Sequence, residues 1–130
     1  MAHILAVDDQ RVMRELVKSV LEGEGHQVLI AEDGVEAMSI ARDNSFDLVL
    51  TDINMPNMNG ISLVSKLRRL EAYASTPIIM LTTESADFKK DKAKRMGANG
   101  WLQKPFDPDR LIKAVNSTLA RAGHVVAARS

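Results

Sequence analysis

The chain has 130 residues, enough for one domain with a real core and too few for two ordinary ones. Its 17 basic and 17 acidic residues cancel, which removes the electrostatic ground for nucleic-acid binding, and it has no cysteine, which excludes disulfides and thiolate metal sites and fits a reducing cytosol. The longest apolar runs are about four residues against the roughly 20 a membrane helix needs, and no basic segment precedes an apolar stretch at the start, so neither a membrane span nor a signal peptide is expected.

Short apolar runs then alternate with amphipathic stretches along the chain. The run Ile4-Leu5-Ala6-Val7 predicts a strand near 3–8 that ends on the acidic pair Asp8-Asp9. A helix near 10–23 follows, with Val12, Met13, Leu16, Val17, Val20 and Leu21 at helical spacing. A strand near 27–31 leads into a helix near 34–44, and Asp33 with Glu36 reads as its capping box. Leu48-Val49-Leu50 marks a strand near 47–51, with Asp52 at its end. After the loop Asp52-Ile53-Asn54-Met55-Pro56-Asn57-Met58-Asn59-Gly60, a helix near 60–71 carries Leu63, Val64, Leu67 and Leu70.

Ile78-Ile79-Met80-Leu81 predicts a strand near 77–81, followed by Thr82. The fourth helix is placed near 86–96, with Ser85 as cap and Gly97 as a left-handed stop. Trp101-Leu102-Gln103 gives the last strand, near 100–103, and Lys104-Pro105 follows it. Asp107-Pro108 opens the last helix, near 108–121, with Leu111, Val115 and Leu119 on one face. From about Gly123 the pattern stops, so the reading is one domain over 1–122 and a short frayed tail over 123–130.

Strands alternating with helices of these lengths indicate βαβ units and an α/β fold on a parallel sheet. Such a sheet opens its binding crevice at the carboxyl ends of its strands. Asp8, Asp9 and Asp52 therefore meet at one edge, where they repel one another unless a hard, oxygen-seeking cation of the magnesium type joins them. Thr82 and Lys104 add a hydroxyl and an ammonium at the same edge, and the set suits a phosphoryl group. Asp52 precedes a stiff loop in which the Asn54 backbone carbonyl can ligate the metal and Pro56 limits freedom. Proline after Lys104 permits a cis peptide that turns the lysine inward, toward the carboxylates and a phosphoryl oxygen.

Each of these residues also has a plain structural explanation. Asp9 alone could cap the first helix, the loop residues could be turn formers, and Thr82 and Lys104 could be an ordinary strand end and a solvated lysine. Capping explains neither Asp8 nor Asp52, so the trio favours a functional reading. The cations Lys89, Lys90, Lys92, Lys94 and Arg95, broken by Asp91, read as a solvated face. The seven methionines read as core filler, and His3, His26 and His124 lack ligand spacing.

In order and spacing, the acidic pair, Asp52 with its Met-Pro-x-Met-x-Gly loop, Thr82 and Lys104-Pro105 resemble the response-regulator receiver domains of two-component signalling. The resemblance runs from about residue 3 to 121. Within that family, Asn54-Met55-Pro56-Asn57-Met58 and Arg14 after Met13 are similar to the stand-alone chemotaxis regulators. The resemblance implies a flavodoxin-like, doubly wound (βα)5 fold with strand order 2-1-3-4-5. It implies that Asp52 accepts the phosphoryl group and that Asp9, Asp52 and the Asn54 carbonyl hold Mg²⁺ directly, with Asp8 acting through water. Thr82 would bond the phosphoryl group and move with it, and Lys104 would pair with a phosphoryl oxygen. Asn54 and Glu84 fall where phosphoryl lifetime is tuned. Trp101 falls at the switch aromatic, usually tyrosine or phenylalanine; its larger ring carries an N–H that needs a partner. Gln10 and Arg11 depart from the chemotaxis pattern beside the acidic pair.

The implied function is a phosphorylation switch rather than an enzyme. A histidine kinase is the donor, and the face of the fourth helix, fifth strand and fifth helix binds an output protein, the flagellar motor switch or a downstream phosphotransfer protein. A phosphatase is a further partner. With no effector domain following, output is expected to come from a partner binding that face, and the protein is expected to be cytoplasmic and monomeric. Within the class, a phosphorelay intermediate or phosphate sink is the alternative to chemotaxis. A haloacid-dehalogenase-type phosphatase would need an aspartate where Asn54 stands, an FMN binder would find Asp8-Asp9 repelling its phosphate, and an interaction module with a dead site would not keep all five positions.

Overall fold

The computed structural model describes residues 1–83, 94–95 and 97–123. Its elements are β1 (His3–Val7), α1 (Arg11–Gly23), β2 (Gln27–Ala31), α2 (Gly34–Asp43), β3 (Leu48–Asp52), α3 (Gly60–Arg69), a 3-10 turn (Glu71–Tyr73), β4 (Ile78–Thr82), β5 (Gly100–Gln103) and a last helix (Pro108–Arg121). The strands form one parallel sheet in the order β2-β1-β3-β4-β5. The expected α/β fold and strand order are thus present. The helix expected near 86–96, with Ser85, Glu84 and most of its cations, lies outside the described residues, as does the tail beyond Gly123.

β3 and β4 are buried along their whole length, as parallel strands covered on both faces must be. Alternation divides their side chains between two cores. Leu5, Val7, Val49, Ile78 and Met80 pack with Leu63, Val64 and Leu67 of α3 and with Ala37, Met38 and Ala41 of α2. Ile4, Ala6, Leu48, Leu50, Ile79 and Leu81 pack with Val17 and Leu21 of α1 and with Leu111, Val115 and Leu119 of the last helix. The apolar stripe of α1 is wider than the sheet can cover. Val17 and Leu21 are buried, but Val12 is 83% exposed and Leu16 also faces solvent.

The helix ends follow their local chemistry with one difference. Asp107 caps the last helix through the Arg110 N–H, with Pro108 in its first turn. Asp33 caps α2 through the Glu36 N–H. The reciprocal bond of a capping box does not form, because Glu36 takes the N–H of Glu32, one residue before the cap. Asn59, a residue expected only to turn the chain, caps α3 through the Ser62 N–H. Gly97 adopts φ +100°, the left-handed stop expected of it. His26 is buried at the far edge of the sheet from the acidic pair, and its Nδ1 accepts the Ala2 N–H.

Half-buried Arg68 fastens the amino-terminal side of β4 and β5. Its guanidinium donates to the carbonyls of Tyr73 (2.8 Å), Thr76 (2.6 Å) and Gly97 (2.6 Å) and to Asn99 Oδ1 (2.9 Å). Asn99 Oδ1 in turn accepts the Ile78 N–H at the start of β4. Arg68→Met should therefore lower stability by at least about 1.5–3 kcal/mol in urea denaturation, since these carbonyls lose a charged donor. An unchanged midpoint would show that water replaces the guanidinium there.

Candidate functional site

The carboxyl ends of β1 and β3 are adjacent in the sheet, and the chain leaves each on an aspartate. Carboxylate oxygens of Asp8, Asp9 and Asp52 lie within 4.8 Å of one another. Asp8 and Asp52 are buried; Asp9 is exposed. Asp9 does not cap α1. The residue at the cap is Gln10, which makes no side-chain cap bond, and its N–H goes instead to Asp8 Oδ1 at 2.9 Å. The Arg14 guanidinium, one turn into α1, donates to the Asp8 main-chain carbonyl at 2.8 Å.

Lys104 directly follows β5, and β4 lies between that strand and β3 in the sheet. The Lys104-Pro105 peptide is cis, and Lys104 is buried. Its Nζ lies 2.6 Å from Asp8 Oδ2 and 3.5 Å from Asp52 Oδ2. Three carboxylates against one ammonium leave two formal negative charges in the cluster. Asp52 registers the imbalance. Burial pushes its carboxyl up to about 6; Lys104 pulls it down, Asp8 and Asp9 push it up further, and the Ile53 N–H on Oδ1 holds it back.

Thr82 is buried one residue beyond Leu81, the register partner of Asp52. Its main-chain carbonyl accepts the Lys104 N–H at 2.6 Å, which ties the end of β4 to the lysine. Asp8, Asp9, Asp52 and Lys104 thus come together, with Thr82 on the neighbouring strand end. Trp101 lies two residues from the end of β5, beside Met80. Its ring is half-buried against the core on the α2–α3 face. The indole N–H, expected to need a partner, is buried and finds none among the described residues.

The loop after Asp52 is closely fitted. Ile53 N–H reaches the Leu81 carbonyl, and Gly60 N–H returns to the Ile53 carbonyl at 2.8 Å. A β-carbon on Gly60 would lie 2.0 Å from the Asp52 carbonyl oxygen, so glycine here is a requirement of close approach. Asn54 is exposed, and no hydrogen bond among the described residues engages its carbonyl. The all-oxygen donor set, the uncompensated charge and the raised Asp52 carboxyl together fit a hard divalent cation such as Mg²⁺. Asp8, Asp9 and Asp52 are the residues that could hold it.

Two contacts were not legible as parts of this site. The Asn57 side chain donates to Asp33 at 2.8 Å, and Met58 covers Gly34. Asn57 reads in sequence as a turn former and Asp33 as a cap. The usable signal is that Asp33-Gly34 follows β2, at the same sheet edge.

Comparison with known proteins agrees with this geometry. A family model described as response regulator receiver domain matches residues 4–116. PilH of Pseudomonas aeruginosa is 39% identical over 120 residues, which span 92% of this chain and 99% of that protein. A chemotaxis protein CheY homolog of Campylobacter jejuni is 41% identical over 118 residues, 89% of this chain and 91% of that one. The structure of chemotaxis response regulator CheY4 of Vibrio cholerae superposes with a TM-score of 0.88 at 43% identity, covering 91% of this chain and 98% of that one. The chain spans about half the length of other relatives, such as the probable transcriptional regulator ycf29 of Pyropia yezoensis, 36% identical with 53% covered. Among the described residues, no helix is long and apolar enough to cross a membrane.

The charge imbalance has a measurable consequence. The Asp52 carboxyl is raised in the folded protein, so its proton stabilises the fold below the ordinary value of 3.8, and that stability is lost as pH rises through about 6. Without divalent cations, Asp52→Asn should be more stable than the parent at neutral pH by about 1–3 kcal/mol. The gap should close as the pH falls from 6 toward 4. Urea denaturation across that range checks it, and a gap that ignores pH would place the strain elsewhere.

Proposed function

The chain belongs to the response regulator receiver domain family, and from that premise we propose that it is a CheY-like phosphoacceptor switch in which Asp52 takes a phosphoryl group from a histidine kinase. The observation that carries this reading is the convergence of Asp8, Asp9, Asp52 and Lys104 at one sheet edge. Asp52 is the member that ends a fully buried strand and opens the fitted loop.

In the proposed reaction an Asp52 carboxylate oxygen attacks phosphorus in line, forming the P–O bond as the P–N bond of phosphohistidine breaks. The ring nitrogen keeps the bonding pair and leaves as neutral imidazole, with the proton on its other nitrogen. Asp8, Asp9 and Asp52, with the Asn54 carbonyl, would hold Mg²⁺. When bound, that cation supplies charge neutralisation for the phosphoryl oxygens. Lys104 stands between Asp8 and Asp52, where its ammonium can exchange a carboxylate contact for a phosphoryl oxygen. Thr82 offers its hydroxyl from the next strand end. Asn54 and Glu84 are proposed to set the lifetime of the phosphoryl group.

Output follows from coupling Thr82 to Trp101 across β4 and β5. The ring is half-buried, and its N–H has no partner among the described residues, so its present seat is imperfect. Its movement would alter the β5 surface on which a partner binds. Relatives named for chemotaxis favour a motility or chemotaxis output in the cytoplasm over a phosphorelay intermediate or phosphate sink. A haloacid-dehalogenase-type phosphatase is disfavoured by Asn54.

Two measurements test this reading. With radiolabelled acetyl phosphate and Mg²⁺, the chain should retain acid-stable, hydroxylamine-labile label, and Asp52→Asn should retain none. Label on Asp52→Asn at the parent level would remove the assignment. With Mg²⁺ and beryllofluoride, emission or quenching of Trp101, the sole tryptophan, should change, and Thr82→Ala should blunt the change. Identical spectra in both states would make Trp101 a static part of the partner surface.

A further inference from the structure

The β3–α3 loop is held in its middle as well as at its base. Asn57 has φ +67°, and Met58 N–H donates to the Pro56 carbonyl at 2.7 Å across it. An i to i+2 bond around a residue of positive φ is the rare and strained kind of γ-turn. Such a turn persists only where its surroundings hold it. Here they are Asp33 and Gly34. The Asn57 side-chain amide donates to Asp33 Oδ2 at 2.8 Å, while Asp33 Oδ1 accepts the Glu36 N–H at 2.8 Å. Both bonds favour the ionised carboxylate and hold its pKa below the ordinary value. Beside them, Met58 lies so close over Gly34 that a β-carbon there would meet its side chain at 2.8 Å.

The sheet order gives this contact its meaning. Asp33 follows β2 and Asn57 follows β3, and β1 runs between those two strands. The Asp33–Asn57 bond therefore links the connections that flank the exit of β1, where Asp8 and Asp9 leave the sheet. The arm Asn54-Met55-Pro56 lies between two fixed points, the Gly60–Ile53 bond at the loop's base and the clasp at Asn57.

We propose that Asp33 and Asn57 are positioning residues for cation binding: their hydrogen bond holds the arm so that the Asn54 carbonyl stays with the acid cluster. This rests on the reading of that cluster as a Mg²⁺ site. Neither residue touches the cation; each acts through the loop.

The test compares Mg²⁺ affinity, by calorimetric titration, with metal-free stability, by urea denaturation. Asn57→Gly keeps the positive φ accessible and removes the amide. Asp33→Ser keeps a helix-capping oxygen on a side chain too short to reach Asn57. Each should weaken Mg²⁺ binding by about tenfold or more, the usual effect of losing a group that orients a metal ligand. The double variant should lose little beyond either single one, because one bond is removed in all three. Asp9→Ala serves as the control on the site. If it loses affinity while Asn57→Gly and Asp33→Ser bind Mg²⁺ as the parent does and lose only urea stability, the clasp is structural and the proposal is overturned. Additive losses in the double variant overturn it too. If Asp9→Ala also binds Mg²⁺ normally, the reading of the acid cluster falls and the clasp proposal falls with it.

Discussion

One ammonium shared between two of three clustered carboxylates is the constraint around which this structure is arranged. Lys104 makes a short buried pair with Asp8 and a longer contact with Asp52. A buried ion pair gives little net stability by itself, because desolvation offsets its attraction, yet removing one partner leaves an uncompensated charge. Asp8 and Lys104 therefore depend on each other, and Asp52 is left short of a full partner. That shortage appears as its raised carboxyl. The site is left short of positive charge, and on the proposed reading a cation or a phosphoryl group would change its energy strongly.

Parallel topology makes such a cluster possible in so short a chain. Asp8, Asp52 and Lys104 lie far apart in sequence, but β1, β3, β4 and β5 present their carboxyl ends along one edge. The edge rests on strands buried on both faces, so the acids are held by a packed core rather than by mobile loops. The opposite edge is fastened differently, by Arg68 collecting carbonyls and by His26 holding the start of β1 to the start of β2. Arg68, Asn99 and His26 at that edge are paired within the protein. At the acid edge carboxylates are left in surplus, and this asymmetry separates the structural end of the sheet from the chemical one.

The sequence was informative wherever a feature depends on local pattern. Strand runs, helix stripes and the caps at Asp33 and Asp107 follow from periodicity and short-range hydrogen bonding, and they fall within a residue or two of their expected bounds. The acid cluster was legible because parallel strands have a chemical end, and each of its residues lies within two positions of the end of an apolar run. What escaped depends on contacts between loops. The Asp33–Asn57 bond joins residues 24 apart through side chains that each have an ordinary local explanation. Exposure of Val12 and Leu16 escaped for a related reason: helical spacing names a stripe, while the width that the sheet covers is set by packing. Glu36 departs from the capping box because the preceding residue's N–H competes for it, a choice of geometry that composition does not encode.

On the proposed reading, the surplus charge at the acid edge would give the switch its thermodynamic direction. A ligand shifts a conformational equilibrium only by its differential affinity for the two states. With the cluster empty, repulsion among Asp8, Asp9 and Asp52 is borne by the folded protein, so neutralising it releases energy at the sheet edge. Thr82 and Lys104 sit on adjoining strand ends and are joined by a main-chain bond. A displacement of either one therefore acts on β5, the edge strand that carries Trp101. The core beneath is too closely packed to absorb such a displacement by compression. Of the groups at this edge, the half-buried Trp101 ring has an N–H with no partner among the described residues, while the loop is clasped at Asn57. On the proposed reading, charge neutralisation in the buried site would reach β5 through the main-chain bond between Thr82 and Lys104.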